Sequence, residues 1–374
     1  MSSYIKAWDV YRVRIPLVKP YHLSKVYGTI THSDVILLKI ETSKGAIGWG
    51  EADPGGMKFT GDTPESVMES IRAGSLDSLK GVELEGWILS GKNQDREGSL
   101  SAACDVAIHD ALARQKGIPV WELLGQKVRD EIDLLWPTSS GTAEEDLAVI
   151  EEYAAKGFNT YMLKMGDRPI ADEITRVRDV LAGVPDGVRI MLDANQGWTQ
   201  DEANQLFAAS NDLPLILIEQ PLAADDLEGL RKLRENYQLP VSVDESLQTP
   251  DSAKSVLEND AADIFSVKIS KNGGLQPSLK IGKMVADKGK KVLMNSMIEL
   301  GITQCASLHL GCVFKNLVNC GHAYMSTLRI SDDVTNFSSW IERGTARLQD
   351  APGLGINVDS AKIRKYLEDE YHDN

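Results

Sequence analysis

Five short apolar runs decide the fold: NTYMLK at 159–164, RIMLD at 189–193, LILIE at 215–219, PVSVD at 240–244 and IFSVK at 264–268. Each is followed by an amphipathic stretch with helical spacing. Working outward, IDLLWP at 132–137 precedes them, and KVLMN at 291–295 and NLVNC at 316–320 follow. The eight starts recur at intervals of 24 to 30 residues. Strands alternating with helices at this spacing define parallel βα units. Eight such units in roughly 200 residues are what a closed (β/α)8 TIM-type barrel requires. A doubly wound open sheet shares the rhythm, but no GxGxxG follows any of these strands.

The region before the barrel reads differently. Tyr11, Val13 and Ile15 alternate with Arg12 and Arg14, the period of a half-exposed strand. VILLKI and AIGWGEA flank Thr42-Ser43-Lys44-Gly45, a hairpin signal with glycine in the turn. Helical patterns follow at about 64–73 and 100–116. The expected organisation is an α+β capping domain over 1–125, the barrel over 126–340, and a tail over 341–374 that returns to the capping domain.

Composition removes several function classes. The 374 residues carry 40 Lys+Arg against 55 Asp+Glu, a formal charge of −15. That balance disfavours nucleic acid, whose phosphates need a basic footprint, and an anionic membrane surface. The apolar runs are too short to span a bilayer, and MSSYIKAWDVYRVRI lacks the pattern of a signal peptide. Cys104, Cys305, Cys312 and Cys320 show no CxxC spacing, so buried reduced thiols and a cytoplasmic location are expected.

Chemistry is expected where the strands end. Five runs finish on an ionisable residue, in the order Lys164, Asp193, Glu219, Asp244, Lys268. In a barrel these equivalent positions converge at the C-terminal mouth. A charged residue closing one strand means little, but five in consecutive units form a constellation. Three converging carboxylates repel one another, and a hard divalent cation such as Mg²⁺ relieves the repulsion. A substrate carboxylate at such a cation gains acidity at its α-carbon. Lysines on either side, with pKa values lowered by positive charge and desolvation, can then remove and return a proton.

MLDAN at 191–195, IEQPL at 218–222, VDES at 243–246 and VKISKNGG at 267–274 resemble the enolase superfamily, specifically its muconate lactonizing enzyme subgroup. AACDVAIHDALARQKGIPVWELLG at 102–125 is similar to that family's link between cap and barrel, and APGLGI at 351–356 to its closing segment. The resemblance implies Asp193, Glu219 and Asp244 as ligands of one Mg²⁺, and Lys164 and Lys268 as the opposed acid/base pair. It implies a homo-oligomeric enzyme acting through an enediolate on a small carboxylate substrate. A racemase or epimerase of an amino-acid or proline derivative, or a cycloisomerase, leads. A dehydratase of a β-hydroxy acid such as a hydroxyproline, or a non-catalytic relative, is the alternative.

Further positions have weaker assignments. Glu245 and Glu299 are expected to support the metal site or the fold, and Asn195 to touch it or merely to shape a turn. Many subgroup members carry Lys-x-Lys where this chain has Met162-Leu163-Lys164, so Met162 replaces a cation inside the barrel. No His-Asp pair occupies strands six and seven, which departs from the mandelate racemase pattern and favours two lysines. Loops at about 20–32 and 52–61 are expected to close over the mouth, bringing His22, Ser24, Tyr27, Lys58 and Phe59 toward substrate. Asn319 is expected at the end of strand eight. Asn319-Cys320-Gly321 is not the Asp-x-Asp with which dipeptide epimerases hold a substrate ammonium, so a free dipeptide is disfavoured.

Overall fold

The computed structural model describes residues 2–90 and 98–373. Three strands, β1 (Ile5–His22), β2 (Thr29–Thr42) and β3 (Ile47–Ala52), form an antiparallel sheet. The β2–β3 turn closes with the Gly45 N–H donating to the Thr42 carbonyl, at a φ of +80° that suits glycine. Helices α1 (Pro64–Arg72), α2 (Leu84–Ser90) and α3 (Ser99–Lys116) follow. The unbroken apolar run at 35–38 reflects a sheet covered on both faces. Ile36 and Leu38 join Trp8 and Val10 in a core with α1 and α3, whereas Val35 and Leu37 join Val13 and Ile15 against the barrel. Helix α3 lies directly on β3. A Cβ on Gly50 would come within 1.9 Å of the Ala103 carbonyl oxygen, so this approach requires glycine.

The stretch expected as a loop at 20–32 is mostly strand. Tyr21 pairs with Ile30 and His22 with Thr29, leaving only 23–28 as the turn.

IDLLWP splits in two. Its first part forms β4 (Glu131–Asp133), outside the barrel, and its second forms the barrel strand β5 (Leu135–Pro137). The parallel sheet continues through β6 (Thr160–Lys164), β7 (Arg189–Asp193), β8 (Leu215–Glu219), β9 (Val241–Val243), β10 (Ile264–Val267) and β11 (Lys291–Met294), each beside its predecessor. The eighth unit is irregular. NLVNC forms no extended strand, and parallel bridges Val292↔Leu317 and Leu134↔His322 close the ring instead. His322 fills the seam: its Nδ1 accepts from the Met294 N–H at 3.0 Å, and its Nε2 donates to the Val318 carbonyl at 3.2 Å.

Helices 143–154, 200–210 and 250–258 begin with capping boxes at Thr142, Thr199 and Thr249. The tail supplies β12 (Ile341–Glu342) and β13 (Thr345–Arg347), which pairs with β4. The last strand, β14 (Leu367–His372), runs antiparallel along β1 and so joins the first sheet. All four cysteines are buried and stand outside any disulfide among the described residues. Among the described residues no helix is long and apolar enough to cross a membrane.

Candidate active site

Strand register gathers the chemistry. Lys164 pairs with Asp193, and Asp193 with Glu219, across β6, β7 and β8. Asp244 directly follows β9 and Lys268 directly follows β10. All five side chains are buried, and both lysines line a cavity of about 430 Å³ between barrel and cap. Lys164 Nζ donates to Asp193 Oδ2, and to Asn195 Oδ1 at 3.2 Å. Lys268 Nζ donates to Asp244 Oδ2 at 2.6 Å. Between these pairs Glu219 accepts from Ser266 Oγ at 2.5 Å and from Asn295 Nδ2 at 2.9 and 3.1 Å.

The electrostatics follow from burial and these partners. Burial pushes the Glu219 carboxyl well above its ordinary value, and the charges of Asp193 and Asp244 push it further. Burial acts on Asp244 in the same direction, but Lys268 and Lys271 outweigh it and hold that carboxylate at about 2. The lysines depart from expectation. Burial favours the neutral amine of Lys164, yet Asp193 and Glu219 prevail and hold it above the ordinary lysine range. Lys268 is raised for the same reason, through Asp244 and Glu219. Positive neighbours and desolvation would lower both amines, but their direct partners are carboxylates.

Local structure fixes these groups. Arg176, on the helix at 170–183, donates to the Lys164 carbonyl at 2.8 Å and clamps Asp146 through Nε and Nη2 at 2.7 and 2.9 Å. Glu173 accepts the backbone N–H groups of Gly166, Asp167 and Arg168, ordering the loop after Lys164. Asn195, Gln196 and Gln220, just past β7 and β8, adopt positive φ angles of 44°, 63° and 35°. Such strain clusters where the surrounding structure over-determines a site.

The remaining expected residues divide into two groups. Asn195 and Glu245 join the centre: Asn195 Nδ2 donates to Glu245 Oε1 at 3.4 Å, and Tyr27 OH donates to the same oxygen at 3.1 Å. Burial and the charges of Asp244 and Asp193 raise Glu245 to about 7. Met162 and Tyr27 line the cavity. So do Lys58, whose ammonium donates to the Val26 carbonyl at 2.8 Å, and Phe59, whose ring lies 4.7 Å from Lys268 Nζ. Glu299 is buried beside the mouth and accepts from the Met297 N–H at 2.8 Å. Burial and Asp53 raise it to about 8.

Three residues do not reach the cavity wall. Ser24 is buried against the Asn195 carbonyl and His22 is bound to Thr29. Asn319 is exposed, and its carbonyl accepts from Arg189 at the start of β7, the end opposite Asp193. Because the eighth segment runs on past Asn319, Met325 and Arg329 are the residues it presents to the cavity.

Sequence reasoning missed Lys271, Asn295 and Ser266. Lys271 is wholly buried, donates to Asp244 Oδ1 at 2.6 Å, and is pulled below its ordinary value by burial. Its spacing three residues beyond Lys268, across a turn, was the available signal.

Among the described residues no three His, Cys, Asp or Glu side chains form a ready coordinating group. Asp193 and Asp244 are instead paired with Lys164 and Lys268. The donor set nonetheless fits a hard divalent cation. It offers three buried carboxylates on adjacent strands, and Glu245 Oε2 is buried with no hydrogen-bond partner among the described residues. All-oxygen ligation of this kind suits Mg²⁺.

Fold and site together define a capped barrel enzyme with acids and lysines on its strand ends. Residues 7–125 match the family described as mandelate racemase / muconate lactonizing enzyme, N-terminal domain, and residues 145–362 match the enolase C-terminal domain-like family. The chain belongs to the enolase superfamily, in its muconate lactonizing enzyme subgroup. It is 33% identical over 353 residues to the L-Ala-D/L-Glu epimerase of Bacillus subtilis (strain 168), covering 92% of this chain and 94% of that one. Muconate cycloisomerase 1-2 of Acinetobacter lwoffii is 29% identical over 372 residues, covering 98% and 96%. The substrate-liganded Bacillus subtilis epimerase superimposes with a TM-score of 0.87 at 31% identity, covering 94% of this chain and 98% of that chain.

Proposed function

We propose that this chain is a Mg²⁺-dependent racemase or epimerase that exchanges the proton α to the carboxylate of a small amino-acid derivative. The observation that carries the reading is the placement of Lys164 and Lys268 on two sides of one buried acid cluster facing the cavity. The names of the relatives support it, since they are epimerases, racemases and cycloisomerases. Asp193, Glu219 and Asp244 would hold the Mg²⁺, which when bound supplies positive charge to stabilise the enediolate. Displacing the lysines from Asp193 and Asp244 removes the carboxylates that raise their pKa values, and burial then favours the neutral amine. One lysine takes the α-proton and the other, as ammonium, delivers a proton from the opposite side. Phe59, Tyr27 and Lys58 shield the reacting carbon from water.

Met325 stands where the segment after strand eight meets the cavity. With no carboxylate from that segment, the reading disfavours a free substrate ammonium there. The four buried thiols support a reducing, cytoplasmic setting. A homo-oligomer, as the family resemblance implies, is checked by light scattering.

Incubation of a carboxylate library in D2O with Mg²⁺ tests the function. Deuterium at the α-carbon with inversion, abolished by EDTA, is expected. Exchange in no compound, or exchange indifferent to EDTA, would overturn the reading; water loss from a hydroxylated compound would convert it to a lyase.

A further inference from the structure

We propose that Arg329 is a specificity-determining residue that receives a second acidic group of the substrate. The inference rests on the proposed function for the first carboxylate and adds the chemistry of the far end. Arg329 lines the cavity, with its guanidinium carbon 3.5 Å from the ring centroid of Tyr21. The same ring lies 5.9 Å from Lys164 Nζ, so the arginine is within a small molecule's reach of the reacting centre. Its backbone is pinned on both sides: the N–H donates to the Ser326 carbonyl at 2.9 Å, and the carbonyl accepts from the Val18 N–H at 2.8 Å. The guanidinium itself has no carboxylate or carbonyl acceptor among the described residues.

That solitude distinguishes it from the other charged groups on the wall. Lys164 and Lys268 are paired with acids, and Lys58 is bound to a backbone carbonyl. The acids are also satisfied: Asp34 is clamped by Arg12 at 2.8 Å, and Asp53 accepts the N–H groups of Gly55 and Ile298 at 3.0 Å. Arg329 is thus a cation held against an aromatic ring and facing the cavity with its donors uncommitted. Stacking pre-organises the planar fork for a carboxylate, which it can bind bidentately. The same cavity also presents apolar wall through Leu135, Pro137, Met162 and Met325. The matching substrate carries two acidic groups joined by an apolar stem.

The test is equilibrium binding to the Mg²⁺-loaded enzyme. A saturated α,ω-dicarboxylate of four to six carbons is compared with its monoamide, on wild type, Arg329→Met and Arg329→Lys. Wild type should bind the dicarboxylate on the order of 10- to 100-fold more tightly, the worth of a charge-assisted hydrogen bond. Arg329→Met should bind both alike while keeping the wild-type melting temperature, and Arg329→Lys should fall between. Equal binding by wild type, or an undiminished preference in Arg329→Met, would overturn the assignment. If the preference holds but no dicarboxylate compound exchanges its α-proton, the proposed function fails and this binding role stands. If dicarboxylates exchange their α-proton equally well with and without Arg329, the proposed function stands and this assignment fails.

Discussion

Replacing Arg176 by Met removes the clamp beneath Lys164. The guanidinium makes two hydrogen bonds to Asp146, at 2.7 and 2.9 Å, and one each to the carbonyls of Lys164 and Ser139, at 2.8 and 3.1 Å. The ion pair is almost fully buried, with side-chain exposures of 4% and 2%. Removing one partner of such a pair leaves an uncompensated charge and costs about 3–5 kcal/mol. Removing both with Asp146→Leu/Arg176→Met avoids the stranded carboxylate and should recover part of that loss. The two carbonyls remain without their donor, at about 1–3 kcal/mol each if water does not reach them, so recovery stays incomplete. Urea denaturation of the three proteins measures both quantities. The folded double variant should also lose about 10- to 100-fold in α-proton exchange, because Lys164 no longer has a fixed strand end. An Arg176→Met cost below about 1 kcal/mol, or a double variant no more stable than the single, would refute the reasoning.

Two further predictions concern the frame. Gly50→Ala drives a Cβ into the Ala103 carbonyl, so it should destabilise by about 1–3 kcal/mol or more and lower the thermal midpoint by several degrees; an unchanged midpoint would contradict the close approach. Burial holds His322 at about 4 in the folded chain, against about 6.5 unfolded, so its stabilising share is present above pH 6.5 and is lost as pH falls toward 4. Between pH 7 and 5 that share is about 2 kcal/mol, and His322→Gln should flatten the stability–pH curve by this amount. Denaturation midpoints at both pH values check it, and parallel curves for the two proteins would count against a neutral His322 in the barrel seam.

The five strand-end residues were legible because a βα repeat of nearly constant length places equivalent positions at one mouth. Asp193, Glu219 and Asp244 needed only that regularity. Where regularity fails, so does the reading. NLVNC has a strand's composition, yet the backbone of Gly321 packs against Leu134 and the segment continues past Asn319, carrying Met325 and Arg329 to the cavity instead. IDLLWP divides because its first half has a second partner, β13, far along the chain. Lys271 lies a turn beyond its strand, out of reach of strand periodicity, whereas Asn295 closes its run at the equivalent position but, being uncharged, falls outside the pattern of ionisable strand ends. Lysine pKa values depend on which charge stands nearest, and one-dimensional spacing placed both amines near cations when carboxylates are their contacts.

The central claim is that Lys164 and Lys268 act from opposite sides of one reacting carbon. Its most direct test gives each enantiomer of an exchanging substrate, separately, to Lys164→Ala and Lys268→Ala in D2O with Mg²⁺, following α-deuteration by NMR. Both variants should fail to racemise, one losing exchange with one enantiomer and the other losing it with the mirror image. Racemisation at the wild-type rate by either variant, or loss of exchange with the same enantiomer in both, would contradict the account.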